Sequence, residues 1–283
     1  MINSIKNYFH LMRADRPVGT FLLLWPTLTA LIIAGKGNVE THLLIIFCLG
    51  TFLMRSAGCV INDYFDQDFD RKVLRTSKRP LASGIVSNSE ALTIFGILIF
   101  LSLILLTFLN FLSFIIAFAF SVLVILYPLA KRVIKIPQII LGIVFSGGIP
   151  LAFAASLNDL PANVFVLMLA NFFWILSYDT AYAMTDREDD QLLKLGNSAI
   201  LIKGKEKLII CFGSMINLFL IFFVGISENI NSYFYIISVI NGCFLIYSII
   251  IIDRENVNSF FNFFKKNNYI GALIFFSFYI GLN

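Results

Sequence analysis

Asn62, Asp66 and Asp70 recur at i, i+4 and i+8 in the segment Asn62-Asp63-Tyr64-Phe65-Asp66-Gln67-Asp68-Phe69-Asp70. On a helix that spacing sets all three on one face. Converging carboxylates repel one another unless a cation lies between them. Oxygen-only ligands favour a hard divalent ion, Mg2+ before Ca2+ or Mn2+. Arg75, Lys78 and Arg79 follow at once. Acids followed by guanidiniums suit an anion bridged through metal and forked directly, and phosphate is the obvious one.

A second segment repeats the theme, Tyr178-Asp179-Thr-Ala-Tyr182-Ala-Met-Thr-Asp186-Arg-Glu-Asp-Asp190. Asp186 and Asp190 are again i, i+4, and Asp179 lies two helical turns before Asp186. Arg55 stands at the matching distance before Asn62. Both fall inside apolar runs, where an ionisable group is expensive and marks function by default. A third patch, Tyr127-Pro-Leu-Ala-Lys131, puts a phenol and an ammonium on one face if helical. Plainer accounts stand beside these. Asp68, Glu188 and Asp189 fall off the stripes and read as solvated. Lys72, Lys78, Arg132, Lys203, Lys205 and Lys207 read as topology charges. Arg55 and Asp179 also suit an interhelical ion pair, and Tyr127 an interfacial belt.

The elements that must position these groups are membrane helices. Of 283 residues, 59% are hydrophobic and 13% charged, against about 45–50% and about 25% in soluble domains. Mean hydropathy is +0.87. Disorder and a soluble globule are both excluded. Nine apolar spans are expected, at about 18–35, 42–60, 91–109, 112–130, 137–156, 162–184, 207–226, 232–252 and 269–282, the last short of the ~20 residues a crossing needs. Of 21 basic residues, 19 fall on one side of the resulting topology. The positive-inside rule makes that side cytoplasmic, with the N-terminus in and the C-terminus out. The longest cytoplasmic connections, 61–90 and 185–206, follow spans two and six. That points to a repeat of two four-span halves with the ninth appended, and such repeats place sites between the halves. Ser87 and Glu90 spell a capping box opening span three. Ile5 to Met12 suits either a short amphipathic helix on the membrane or a solvated leader. Pro150 after Gly147-Gly148 is the strong candidate for a kink. Two histidines exclude His-rich metal sites. The four cysteines form no CxxC pair and read as packing residues. No cleavable signal is evident.

These motifs carry a resemblance. Asn62-Asp-x-x-Asp66-x-x-x-Asp70 with Arg75-Thr-x-x-Arg79-Pro-Leu-x-Ser-Gly84 resembles the first aspartate-rich motif of the UbiA superfamily of intramembrane aromatic prenyltransferases. Asp186-x-x-x-Asp190 is similar to its second motif, and Tyr127-x-x-x-Lys131 to its YxxxK tetrapeptide. Arg16-Pro-x-Gly-Thr20-x-Leu-Leu-Leu-Trp25-Pro-Thr and the Tyr178–Asp190 string resemble the branch acting on 4-hydroxybenzoate.

The resemblance implies an all-α, multi-pass bacterial inner-membrane protein, one domain over residues 1–283, with its helices around a central cavity. It implies Mg2+ held by Asn62, Asp66, Asp70, Asp186 and Asp190, and a polyprenyl diphosphate forked by Arg75, Arg79 and Lys131. The second substrate is then 4-hydroxybenzoate, with Arg55 toward its carboxylate, Asp179 toward its phenol or the departing proton, and Tyr127 shielding the allylic cation. The 61–90 and 185–206 segments are expected to cap the cytoplasmic mouth. Membrane lipid is an expected partner and nucleic acid is not. Other acceptors of the superfamily (haem, homogentisate, dihydroxynaphthoate, a chlorin) remain open on one sequence. A secondary transporter with an intramembrane Asp and Arg is the reading from a different class.

Overall fold

A computed structural model of the chain describes residues 2–73, 75–134, 136–192 and 196–283, the side chains of 2–4 and 128–133 lying outside the description. Helices are the only regular elements among the described residues. They are α1 (Ile2–Leu11), α2 (Val18–Ala34), α3 (Thr41–Asp70), α4 (Asn88–Leu106), α5 (Phe111–Val133), α6 (Gln138–Phe145), α7 (Gly148–Leu157), α8 (Ala162–Ala183), α9 (Arg187–Leu192), α10 (Ser198–Leu201), α11 (Glu206–Ser227), α12 (Ser232–Ile250) and α13 (Val257–Leu282). Six are long and apolar enough to cross a membrane: α3, α4, the joined α6–α7, α8, α11 and α12. Val18–Ala34 and Phe111–Tyr127 are shorter apolar helices. Large apolar side chains face outward along them, among them Phe100, Phe111, Phe165 and Phe219. A soluble protein could not carry such a surface, whereas lipid solvates it.

The core lies where α2, α7 and α8 meet. Every residue of α2 from Thr27 to Ala34 is buried, against Ile149 and Phe153 of α7 and Trp174 and Ile175 of α8. α11 packs on α8, α12 on α11, and α13 on α12, α2 and α8. α4 leans on α3 and buries only Ala91 and Leu98. It opens on the expected capping box, Ser87 accepting from the Glu90 N–H while the Glu90 carboxylate accepts from the Ser87 N–H.

Three features differ from the expectations. α3 runs 30 residues, about 45 Å at ~1.5 Å per residue, against ~30 Å of hydrocarbon. The first ten residues of the expected 61–90 connection are therefore helix, projecting past the apolar run. α13 begins at Val257 rather than near 269. Its early turns are polar enough to escape a hydropathy window, yet their polar groups find partners. The Asn256 side chain caps the helix, and Asn267 and Asn268 accept at 2.8 Å from the indole N–H groups of Trp174 and Trp25. The fifth expected span divides into α6 and α7 at Gly147-Gly148, ahead of Pro150. A Cβ on Gly148 would run into the Thr27 side chain and one on Gly147 into Phe120, so the close approach of α2 and α5 needs both glycines.

The N-terminal arm is helical and docked. Tyr8, Leu11 and Met12 join a second small core with Ala57, Val60, Leu81 and Leu98, while Ile5 and Phe9 face outward.

Candidate active site

The projecting end of α3, the turn-rich segment after it and the C-terminal end of α8 meet around one cavity of about 1520 Å³. Its walls include Asn62, Asp66 and Asp70 from α3, Arg75 and Arg79 from the following segment, and Asp186 and Asp190 from beyond α8. Arg55, Tyr127 and Asp179 line it as well. Ten of the eleven residues singled out by spacing and resemblance thus share one space. The eleventh, Lys131, has a side chain outside the described residues.

Local structure explains the placement. Residues 75–87 fold back on the end of α3 through Thr76 Oγ1 donating to the Asp70 carbonyl at 3.1 Å and Arg71 Nε to the Ala82 carbonyl at 3.1 Å. That return turns Arg75 and Arg79 toward the cavity. On the other side α8 stops at Ala183, and Thr185 Oγ1 donates to the Tyr182 carbonyl at 2.7 Å. The Asp190 N–H donates to the Asp186 carbonyl at 2.8 Å, a helical register that keeps the two carboxylates on one face. Residues 184–186 form a turn. The expected unbroken stripe from Asp179 to Asp186 is therefore interrupted, because α8 has ended before Asp186 is reached.

Two arginines of the rim each hold an acidic residue. Arg75 forks Asp186, Nε to Oδ1 at 2.8 Å and Nη2 to Oδ2 at 2.7 Å, and donates from Nη1 to Tyr182 Oη at 3.1 Å. Arg79 Nη1 donates to Asp70 Oδ2 at 2.7 Å and to Asp63 Oδ1 at 3.1 Å. Burial opposes the charge on both guanidiniums. The Tyr182 phenol and the Asp186 carboxylate outweigh it at Arg75, and Asp63 and Asp70 outweigh it at Arg79, so both are held above the ordinary arginine range. Asn62 Nδ2 donates to Asp66 Oδ2 at 3.2 Å.

Deeper in the cavity Arg55 lies over the Phe145 ring, 5.5 Å from its centroid. Its guanidinium is packed so closely on Gly19 that a Cβ there would come within 2.7 Å of Nη2. Arg55 and Asp179 line this same cavity. Of the off-stripe acids, Asp68 and Glu188 are exposed, as expected, while Asp189 is half-buried at the cavity rim. Lys78 is exposed at the mouth.

Among the described residues no three His, Cys, Asp or Glu side chains gather closely enough to hold a metal ion by themselves. The donor set nevertheless fits Mg2+, which is commonly held by one or two carboxylates with waters and substrate phosphates completing the octahedron. Asn62, Asp66 and Asp70 on one wall and Asp186 and Asp190 on the other offer that partial shell twice, in oxygen alone.

Sequence reasoning missed several participants. Asp63 is 2% exposed and accepts both from Arg79 and from Arg13 of the arm. Asn197 donates to Asp190 Oδ2 at 2.7 Å and to the Ala183 carbonyl at 3.1 Å, tying the second acidic pair to the end of α8. Tyr182 and the first turns of α13, with Phe261, Phe264 and Lys265, close the rim. Gly19 stands in the Arg16-to-Thr27 string, and that string was the one signal for it.

The chain matches the UbiA prenyltransferase family over residues 23–277. It is 44% identical over 275 residues to the 4-hydroxybenzoate octaprenyltransferase of Psychromonas ingrahamii, covering 97% of this chain and 96% of that one. The protein of the same name from Aeromonas hydrophila is 45% identical over 269 residues, covering 95% and 93%. In fold it is similar to a UbiA homolog from Aeropyrum pernix K1, TM-score 0.76 at 21% identity over 91% and 97% of the two chains. A UbiA homolog from Archaeoglobus fulgidus bound to GPP and Mg2+ gives a TM-score of 0.74 at 21% identity over 98% and 99%.

Proposed function

The chain belongs to the UbiA prenyltransferase family, and from that premise we propose that it transfers a polyprenyl group from polyprenyl diphosphate to the ring of 4-hydroxybenzoate. Attachment is ortho to the hydroxyl, diphosphate is released, and the product enters ubiquinone biosynthesis. The carrying observation is that two acidic segments more than a hundred residues apart line a single cavity, each bonded to one of two arginines. The near full-length similarity to relatives named for this acceptor supports the choice of acceptor.

The reading includes a bacterial inner-membrane location, nine crossings, a cytoplasmic N-terminus and two four-span halves. In support, α2, α3, α4, α5, α6–α7, α8, α11, α12 and α13 correspond in order to the nine apolar spans. The whole chain is then one catalytic domain, and the two acidic segments cap its cytoplasmic mouth.

Asn62, Asp66 and Asp70 would hold one Mg2+ and Asp186 and Asp190 another. Magnesium, when bound, supplies Lewis-acid stabilisation to the departing diphosphate. Arg75 exchanges Asp186, and Arg79 exchanges Asp70, for diphosphate oxygens, with Lys131 beside them, and both stabilise charge on the leaving group. The allylic C–O bond breaks with its electron pair going to diphosphate. The prenyl cation meets the ring carbon ortho to the hydroxyl, a C–C bond forms, and that ring carbon loses its proton. Arg55, supported by Phe145, orients the benzoate. Asp179 polarises the phenol or accepts the proton, and the Tyr127 ring faces the cation. The apolar depth, with Leu103, Leu106, Phe114 and Phe118 along it, takes the tail and keeps water from the cation.

Purified protein given geranyl diphosphate, 4-hydroxybenzoate and Mg2+ should form 3-geranyl-4-hydroxybenzoate, and EDTA should stop it. Turnover unaffected by EDTA would remove the metal from the scheme. Product with another phenolic acceptor but none with 4-hydroxybenzoate would move the acceptor.

A further inference from the structure

We propose that Arg13 and Asp63 form a positioning pair that keeps Arg79 aimed at the diphosphate once Asp70 turns to a metal ion, an inference that rests on the reading above. Arg79 is shared, bonding Asp70 at 2.7 Å and Asp63 at 3.1 Å through the same Nη1. Asp70 belongs to the oxygen set facing the cavity and cannot serve a cation and hold Arg79 equally well. Asp63 is the tether that remains. It is kept from acting as a metal ligand itself, since both its oxygens accept from Arg13 Nη2, at 3.0 and 2.7 Å, and it is 2% exposed. With Asp70 withdrawn, two guanidiniums flank one carboxylate, and the surplus positive charge at the cavity wall suits an anion.

The backbone gives an independent reason to see Arg13 as chosen for its side chain. α1 ends with the Arg13 N–H donating to the His10 carbonyl at 3.2 Å and the Ala14 N–H to the Phe9 carbonyl at 3.0 Å. That pair of bonds is a Schellman ending, whose left-handed residue is usually glycine. Arg13 sits there with φ 57°, a conformation costly for a residue with a Cβ. Its other nitrogen, Nη1, donates to the His10 carbonyl at 2.8 Å, which stiffens the guanidinium. The arm that carries it is fixed by Leu11, fully buried, and by Tyr8 donating to Glu90 at 2.7 Å.

The test exploits that backbone. Arg13→Gly removes the guanidinium while suiting the left-handed turn better, so a role confined to the backbone turn predicts little harm. The full chain in detergent is compared with Arg13→Gly, Arg13→Lys, Asp63→Asn and the double variant. Binding of inorganic pyrophosphate in the presence of Mg2+ is measured by calorimetry, alongside KM and kcat. Arg13→Gly should weaken pyrophosphate binding and raise KM for geranyl diphosphate by about tenfold or more, with KM for 4-hydroxybenzoate held within about twofold. Arg13→Lys should recover part of the loss, and the double variant should be no weaker than Asp63→Asn alone. If Arg13→Gly is recovered only as aggregate, Arg13→Gln carries the same expectation. Wild-type pyrophosphate affinity in a folded Arg13→Gly or Arg13→Gln protein would overturn the pair. A wild-type protein that neither binds pyrophosphate nor turns over would instead overturn the prenyl-transfer reading and this inference with it.

Discussion

Asp66 and Asp190 line opposite walls of the cavity and each represents one acidic pair. Asp66→Ala and Asp190→Ala should each lower kcat by about a hundredfold or more, the scale seen when a group stabilising developing charge is removed. The protein should still elute as a folded, monodisperse species, since neither residue is part of the packed core. Near-normal turnover in either would sink the two-metal scheme. The arginines lead to a second expectation. A cation that takes Asp186 or Asp70 removes a carboxylate from Arg75 or Arg79, and a guanidinium that loses a charged acceptor gains from a new anion. Diphosphate repairs that loss. Mg2+ and pyrophosphate should therefore bind with a coupling of roughly 1–3 kcal/mol, each tightening the other by the same factor. Calorimetric titrations of each in the presence and absence of the other measure it, and equal affinities would show that the Arg–Asp pairs survive binding.

The elements hold the site through a few polar clasps set in apolar helix contacts. α13 bonds to α2 through Trp25–Asn268 and to α8 through Trp174–Asn267, and Asn267 is fully buried. Asn267→Leu would leave the Trp174 indole N–H buried without an acceptor, at a cost of about 1–3 kcal/mol. The expected result is a lower melting temperature in detergent with KM for both substrates unchanged, because neither residue lines the large cavity. Spans were readable from hydropathy because lipid-facing helices must be apolar along their whole buried length. The start of α13 was not, because its Lys265, Lys266, Asn267 and Asn268 depress any window average. The suitability of Lys266, Asn267 and Asn268 depends on Tyr247, Trp174 and Trp25 arriving from elsewhere in the fold.

At the scale of the whole molecule, the polar rim and the apolar depth of the cavity divide the substrate between them. Gly50 on α3 lines the apolar part, and a Cβ there would meet only Leu105 at 3.9 Å. Gly50→Phe should thus fill the tail's path without displacing helices. Long donors should lose at least about tenfold in kcat/KM while geranyl diphosphate keeps most of its rate, a difference of about 1.4 kcal/mol in transition-state binding. Equal losses for short and long donors would show that the tail runs elsewhere.

What the sequence by itself determined is whatever repeats along a single element. Hydropathy marked the crossings, i, i+4 spacing put Asn62 with Asp66 and Asp186 with Asp190, and Ser87 with Glu90 announced the start of α4. These depend on helical geometry and neighbours a turn away, so they need no knowledge of the fold. Tertiary structure alone decided which adjacent acid does what. Asn62 and Asp63 differ by one position, yet one lines the cavity bonded to Asp66 and the other is clamped by Arg13, fifty residues earlier. The Arg75–Asp186 fork joins residues 111 apart, and Arg55 meets Gly19 and Phe145 from two other helices. Such pairings are set by how helices pack, and a charge selects its partner only among groups that packing has already brought within a few ångströms.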